Sequence, residues 1–252
     1  MGDGFLSIFK SKAMVIKAAE FKESDKIIWL FTEKLGKISV VAKGAKRSKS
    51  KFLSLTLPFC FGNYVVFKGK SLYTLNEGEV VNSFQFLLSN LESLTYASYL
   101  CELIDIALVE EESNRELFKN FITVFYLMEN NAVDYELLLR AFEVKLIISA
   151  GYYFNLENCS ICGKKINTSN YISFEHLGGL CNDCRKIGGM SVSYSTYNTL
   201  KYLIKVPIEN VYRLTLTKEN KYELYKLLSN IIGDSFGKRP NSLETFDFIK
   251  GS

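Results

Sequence analysis

KAMVIKAAEFKESDKIIWLFTEKLGKISVVAKGA, residues 12–45, holds three short runs rich in Val, Ile and aromatic residues. Such side chains suit a pleated, half-buried backbone. Glu33-Lys34-Leu35-Gly36-Lys37 predicts a hairpin turn with Gly36 at the position that needs a positive φ. Two further runs follow, YVVFKG from Tyr64 and SLYTLNEGEVV from Ser71, and Gly44, Gly62, Gly69 and Gly78 punctuate them. Five short strands in so compact a stretch predict a small closed barrel, because closure removes edges that would pair with other chains. An SH3-like barrel is the competing arrangement, since the pattern does not order the strands.

From Ser83 the period changes. Phe86, Leu87, Leu91, Leu94, Ala97, Cys101, Ile104 and Leu108 recur at helical spacing. Glu110-Glu111-Glu112 reads as a solvated helix end. Arg115–Met128 resumes the helical pattern. Asp134 is placed to cap a third helix that stops near Gly151, and helical patterns return at 194–206 and 218–233. The expected fold class is therefore α+β and multidomain. Residues 1–82 form the β-barrel, and residues 83–252 an all-helical domain with a four-cysteine finger inserted at 156–190.

That finger rests on spacing. Cys159-Ser-Ile-Cys162 and Cys181-Asn-Asp-Cys184 are CxxC pairs with eighteen residues between them. Two intervening residues let both thiolates of one turn face a single ion, and two such knuckles complete a tetrahedron. One structural Zn²⁺ per chain is expected, held by Cys159, Cys162, Cys181 and Cys184. A four-sulfur shell leaves no open position for water, so the ion serves folding rather than chemistry. Tyr171–Phe174 is predicted as a strand between the knuckles, with Gly178-Gly179 turning the chain back. His176, the single histidine, reads as a surface residue, and Cys60 and Cys101 read as small core residues.

Charge divides the chain. Residues 12–70 hold thirteen Lys and Arg against four acids, a net +9; the whole chain carries +4, which leaves −5 elsewhere. A basic barrel on an acidic body points to a polyanion as partner. Lys43, Lys46, Arg47, Lys49 and Lys51 put five cations in nine residues, interleaved with small ones, so this loop can track phosphates. Trp29, Phe31, Phe52, Phe59, Phe61, Tyr64, Phe67 and Tyr73 are candidate base-stacking residues, most of them expected in the barrel core.

No Walker loop, HExxH or GxSxG motif occurs, and one histidine excludes most His-dependent acid–base schemes. No enzyme activity is expected. No signal peptide or membrane-spanning run is read, so a cytoplasmic protein with no membrane partner is expected.

An ordered set of motifs resembles the bacterial recombination mediator RecO family. Lys12-Ala-Met-Val-Ile-Lys17 is similar to its first strand. Glu23-Ser-Asp-Lys26, Leu30-Phe-Thr32 and Gly36-Lys37 are similar to its second-strand hairpin. Val41-Ala-Lys43-Gly-Ala-Lys46-Arg47 and Lys49-Ser-Lys51-Phe52 resemble its basic loop, and Leu72-Tyr-Thr74 with Glu79 its last barrel strand. Phe142-Glu-Val-Lys-Leu146, Gly151, the cysteine knuckles with Gly163 and Gly178, and Arg239-Pro-Asn-Ser242-Leu243 follow in family order.

The resemblance implies an N-terminal OB-fold, a helical C-terminal domain and a zinc finger set in it. It implies DNA repair and recombination: binding of ssDNA and dsDNA, annealing of complementary strands, and work with RecR to load RecA onto strands coated by single-stranded-DNA-binding protein. A cytoplasmic, nucleoid-associated place in a bacterium goes with this. Lys43, Lys46, Arg47, Lys49 and Lys51 match the DNA-contacting loop, and Lys34 and Lys37 the neighbouring hairpin. The C-terminal tail of the single-stranded-DNA-binding protein, acidic with a hydrophobic end, is expected on the helical domain, where Arg115, Lys119, Arg140 and Lys145 are the cations considered. The alternative is a zinc-ribbon RNA-binding or transcription-associated protein, which a preference for RNA would favour.

Overall fold

The computed structural model describes residues 7–131, 133–238, 240 and 242. These residues form two compact units. One contains the described residues up to Lys119 with Pro240 and Ser242; the other runs from Asn120 to Lys238.

The first unit is built on five strands, β1 (Ile8–Phe21), β2 (Asp25–Thr32), β3 (Gly36–Ala42), β4 (Phe61–Lys68) and β5 (Tyr73–Asn82). They close in the order β1-β2-β3-β5-β4, with β4 returning to β1 and β3 lying parallel to β5. This is the OB arrangement; an SH3-like barrel lacks that crossing. The length of β1 makes closure possible. Its first half pairs with β4 and its second half with β2, and a register shift between Val15 and Lys17 bends it between the two partners.

Alternation does the rest. Ala13, Val15, Ile28, Leu30, Ile38, Val40, Ala42, Tyr64, Val66, Tyr73 and Leu75 point inward and form one buried cluster, sealed by Ala45, Phe52, Leu55 and Cys60 from the β3–β4 connection. The Tyr64 hydroxyl inside donates to the carbonyls of Leu55 and Cys60, at 2.9 and 3.2 Å, so a buried polar group is satisfied. Cys60 and Cys101 are buried as expected, and desolvation pushes both thiols up.

The β2–β3 turn forms as the sequence predicts. Gly36 has φ +69, and the Thr32 hydroxyl accepts from the Leu35 amide at 2.8 Å and donates to the Gly36 carbonyl at 2.9 Å.

After β5 the helical period begins later than the apolar spacing suggests. Gln85–Ser89 is a 3-10 turn, and α1 (Leu91–Ala107) starts only where the Asn90 side chain accepts from the Ser93 amide at 2.7 Å. Helix α2 (Arg115–Glu129) follows. Its Phe118 lies edge-on to Phe31 at 5.3 Å, which covers an outward-facing strand residue. Ser242 is tied to the same unit, its amide and hydroxyl both donating to the Glu102 carboxylate, at 3.0 and 2.8 Å. Arg239, Asn241 and Leu243 of the family-like closing run lie outside the described residues.

The second unit is centred on α3 (Tyr135–Ser149). Asp134 caps it, accepting from the Leu137 amide at 3.0 Å, and eleven of its fifteen residues are buried. Helices α4 (Tyr194–Lys205) and α5 (Lys218–Phe236) pack against it. Between α3 and α4 sits a small sheet of β6 (Tyr171–Ser173), β7 (Gly178–Gly179) and β8 (Gly189–Ser191). Gly178 and Gly179 do not make the turn: they form β7, and residues 174–177 turn before them. A Cβ on Gly178 would lie 2.0 Å from the Ser160 hydroxyl, and one on Gly179 2.2 Å from that of Tyr197. Close approach, not turning, demands both glycines. No helix among the described residues is long and apolar enough to cross a membrane.

Gly36 and Gly44 share a left-handed backbone but not the same surroundings. A Cβ on Gly36 would lie 2.0 Å from the Glu112 carbonyl oxygen; one on Gly44 meets only the Arg47 side chain, at 3.6 Å. Left-handed strain costs on the order of 1–2 kcal/mol at either. Gly44→Ala is expected to cost about that much, and Gly36→Ala distinctly more. Urea unfolding followed by emission of Trp29, the single tryptophan, checks the order.

Candidate nucleic-acid interface and metal centre

The β3–β4 connection opens with the basic loop, and its fold is local. The Arg47 amide donates to the Gly44 carbonyl at 3.2 Å, and the Ser50 amide to the Arg47 carbonyl at 2.9 Å, so two turns follow one another. The base of the loop is clamped to the β1–β2 turn. The Gly44 amide donates to Asp25 Oδ1 at 2.8 Å, and the Lys46 amide to the Ser24 carbonyl at 2.9 Å. Lys43, Arg47, Lys49 and Lys51 are exposed, and Lys51 Nζ lies 5.0 Å over the Phe52 ring. Lys46 is half-buried and bonded to Glu20 at 2.8 Å, and this lysine holds the Glu20 carboxyl below its usual range.

The clamp adds residues that sequence reasoning missed. Lys22 lies in the β1–β2 turn with φ +55, and Lys26 pairs across β2–β3 with Ala42, next to Lys43. The signal available was the register: Glu20 opposite Lys26 places the hairpin end beside the loop.

Lys34 and Lys37 stand apart from this group, at the other end of β3, about 20 Å along the strand at its rise per residue. Lys34 is exposed in the β2–β3 turn. Lys37 is buried, and its ammonium donates to the carbonyl of Asp105 and, at 3.2 Å, to its carboxylate. Of the candidate stacking residues, Phe31, Phe52, Phe59, Phe61, Tyr64 and Tyr73 are buried, while Trp29 and Phe67 are half-buried. Lys17 Nζ sits 4.9 Å over the Trp29 ring.

The helical cations differ among themselves. Arg115 and Lys119 are exposed. Arg140 is wholly enclosed in the second unit, 2.8 Å from an equally enclosed Glu143 and over the Tyr225 ring at 5.4 Å. Lys145 donates to the Ile204 carbonyl at 2.9 Å.

The cysteines converge. The Sγ atoms of Cys159, Cys162, Cys181 and Cys184 lie within 4.8 Å of one another, and no other group of metal-ligating residues is brought together among the described residues. A tetrahedral shell with metal–sulfur bonds of about 2.3 Å needs sulfurs about 3.8 Å apart. Cys162 and Cys181 already stand 3.7 Å apart, so the donor set fits such an ion.

The first knuckle is shaped by its backbone. The Gly163 amide donates to the Cys159 carbonyl at 2.9 Å, with Gly163 at φ +72, and the Cys159 amide donates to the Lys164 carbonyl at 2.8 Å. Burial opposes ionisation of Cys159, but amides at Cys162, Cys181 and Ile161 overcome it and bring the thiol down to about 6. Cys184 is pushed up to about 12, chiefly by hydrogen bonding with Cys181 and Cys162. A bound cation would replace those protons. The module is anchored by Tyr197, whose buried hydroxyl donates to the Leu156 carbonyl at 3.0 Å. His176 is exposed in the β6–β7 turn and stands outside the cluster.

Residues 6–84 match the family described as Recombination protein O N terminal, and residues 88–244 that described as Recombination protein O C terminal. The chain is 54% identical to the DNA repair protein RecO of Clostridium novyi (strain NT), covering 100% of this chain and 98% of that protein. It is 53% identical to the DNA repair protein RecO of Clostridium acetobutylicum, covering 97% and 99%. The protein of the same name from Acetivibrio thermocellus is 30% identical, covering 97% of each.

Removing one ligand tests the centre. Cys181→Ser is expected to abolish stoichiometric metal content, measured by atomic absorption. It should lower the tyrosine near-ultraviolet signal of the second unit while Trp29 emission, which reports the barrel, stays put. In the intact protein metal should be lost as pH falls, because protons compete for the thiolates.

Proposed function

The chain belongs to the recombination protein O family and so serves DNA repair and recombination; on that premise we propose that it binds single- and double-stranded DNA through the basic loop and anneals complementary strands. One observation carries this reading. Lys43, Arg47, Lys49 and Lys51 project from a loop clamped beside the β1–β2 turn of an OB-ordered barrel, so four exposed cations are held along one short path. Spaced cations of this kind meet successive phosphates and carry no base preference, which suits a protein that must accept any sequence. Lys22 and Lys26 extend the path, and Trp29 supplies an aromatic face.

Annealing by such a surface needs neutralisation of two backbones and no bond cleavage, so no catalytic group is required. In this reading the protein is not an enzyme. It works with RecR to help load RecA onto strands coated by single-stranded-DNA-binding protein. The tail of that protein, being acidic, would be drawn to the exposed helical cations Arg115 and Lys119 rather than to Arg140, whose charge is spent on Glu143 inside the core.

The metal at the four cysteines is read as zinc. Four soft thiolates in a closed tetrahedral set favour it, and such an ion supplies folding energy. Cys159, Cys162, Cys181 and Cys184 would hold it.

Annealing of two complementary DNA strands, coated with the cognate single-stranded-DNA-binding protein and without ATP, tests the function. The wild type is expected to anneal them, and Lys46→Glu/Arg47→Glu/Lys49→Glu to fail. Direct titration of single strands should show the slope of log K against log salt reduced by about 2 in that variant. Salt-independent binding by the wild type would overturn the basic-loop mechanism, and a strong preference for RNA would favour an RNA-binding protein.

A further inference from the structure

Three glutamates that read as a solvated helix end do something else. Helix α1 stops at Ala107, and the segment that follows is fastened to the barrel by its backbone. The Glu111 amide donates to the Lys37 carbonyl at 2.9 Å, and Glu110 forms a parallel bridge with Lys37. Glu112 packs where a side chain on Gly36 would be. β3 meets β5 only at Val40 and Val41, so the segment occupies the stretch of its edge that β5 leaves bare.

Fixed in this way, the acids reach the barrel's cations. Asp105, at the end of α1, accepts from Lys37 at 3.2 Å and lies 3.8 Å from Lys17. Glu111 takes Lys68 at 2.6 Å, and Lys68 and the Tyr73 hydroxyl hold its carboxyl below the usual range. Glu110 accepts from the Ser39 hydroxyl at 2.9 Å. Ser39 and Lys17 are the cross-strand neighbours of Trp29 on either side. Carboxylates thus sit on Lys17 and Ser39, the neighbours of the half-buried tryptophan, and on Lys68, which pairs with Tyr73 of β5.

We propose that Asp105, Glu110 and Glu111 are specificity-determining residues: internal stand-ins for phosphate that a nucleic-acid strand must displace from Lys17 and Ser39 beside Trp29 and from Lys68. This rests on the nucleic-acid reading above. The segment's backbone stays docked and only its side chains yield. A strand that presents many phosphates in a row displaces them, because each broken ion pair is replaced by another. A short or isolated anion does not, because it must break pairs without making as many. The acids therefore weaken binding in general and sharpen the preference for a continuous polyanion. They also account for the place of Lys37, a cation of the family-like hairpin that is occupied from within.

The experiment is fluorescence anisotropy with a labelled oligothymidylate at low salt, using the full chain loaded with zinc. Glu110→Gln/Glu111→Gln is compared with Glu77→Gln/Glu79→Gln, which removes the same charge from exposed positions on β5. Both acids of the first variant are exposed, so folding is expected to survive; circular dichroism and Trp29 emission check it. The Glu110/Glu111 variant should bind on the order of fivefold tighter than the wild type, as expected for releasing exposed ion pairs. The β5 variant should gain much less. Glu111→Gln alone should also tighten binding, and in a Lys68→Gln background that gain should disappear, since coupling requires both partners. Asp105→Asn gives a second reading through Lys17.

Equal tightening by the two double glutamine variants, or a Glu111→Gln gain that persists without Lys68, would overturn the proposal and leave nucleic-acid binding intact. Absence of binding by every form, wild type included, would overturn the nucleic-acid reading itself and this inference with it.

Discussion

Barrel closure is the constraint on which the first unit depends. Five strands leave two edges unless the first returns to a later one, and here β1 is long enough to serve two partners, provided it bends. The register shift after Val15 supplies the bend. It also keeps alternation consistent, so that Ala13 and Val15 before it and Ala18 after it all face the interior. Once closed, the barrel turns its β1–β2 turn and its β3–β4 connection toward each other, and the hydrogen bonds from Gly44 and Lys46 lock them. The cations of the loop are arranged by this lock, not by any regular element of their own.

Closure between β3 and β5 is incomplete, and the chain uses the gap. Backbone groups left bare along β3 have to be satisfied, and residues 110 and 111 do so. The same docking brings acids to a basic surface. Structural need and electrostatic consequence share one segment: the backbone completes an edge, while the side chains lower the positive charge of the surface beside it.

The second unit solves a different problem. Its central helix α3 is buried on nearly all sides, yet carries Arg140 and Glu143 in the interior. A lone buried charge is costly, so each requires the other, with the Tyr225 ring against the guanidinium. The cysteine module leans on this helical body through the Tyr197 hydroxyl and the space that Gly178 and Gly179 leave open. Its own sheet is too small to bury a core, and beside it the four cysteines that could hold a metal ion converge.

The sequence by itself determined a great deal. Period and punctuation located five strands and five helices, the Gly36 turn, the Asp134 cap and the cysteine knuckles, because each depends on residues close in the chain. The cysteine spacing also pointed to a four-sulfur cluster that could hold a metal ion, since the geometry of each CxxC is local. What only the tertiary structure decided was long-range. Strand order, and with it OB rather than SH3-like, follows from pairings between residues as distant as Val40 and Tyr73. The part played by Gly178-Gly179 depends on Ser160 and Tyr197. The occupation of Lys37 by Asp105, and the docking of Glu110–Glu112 on the barrel, join positions some seventy residues apart. A charged residue looks the same in sequence whether it faces water or an opposite charge, and only the folded chain says which.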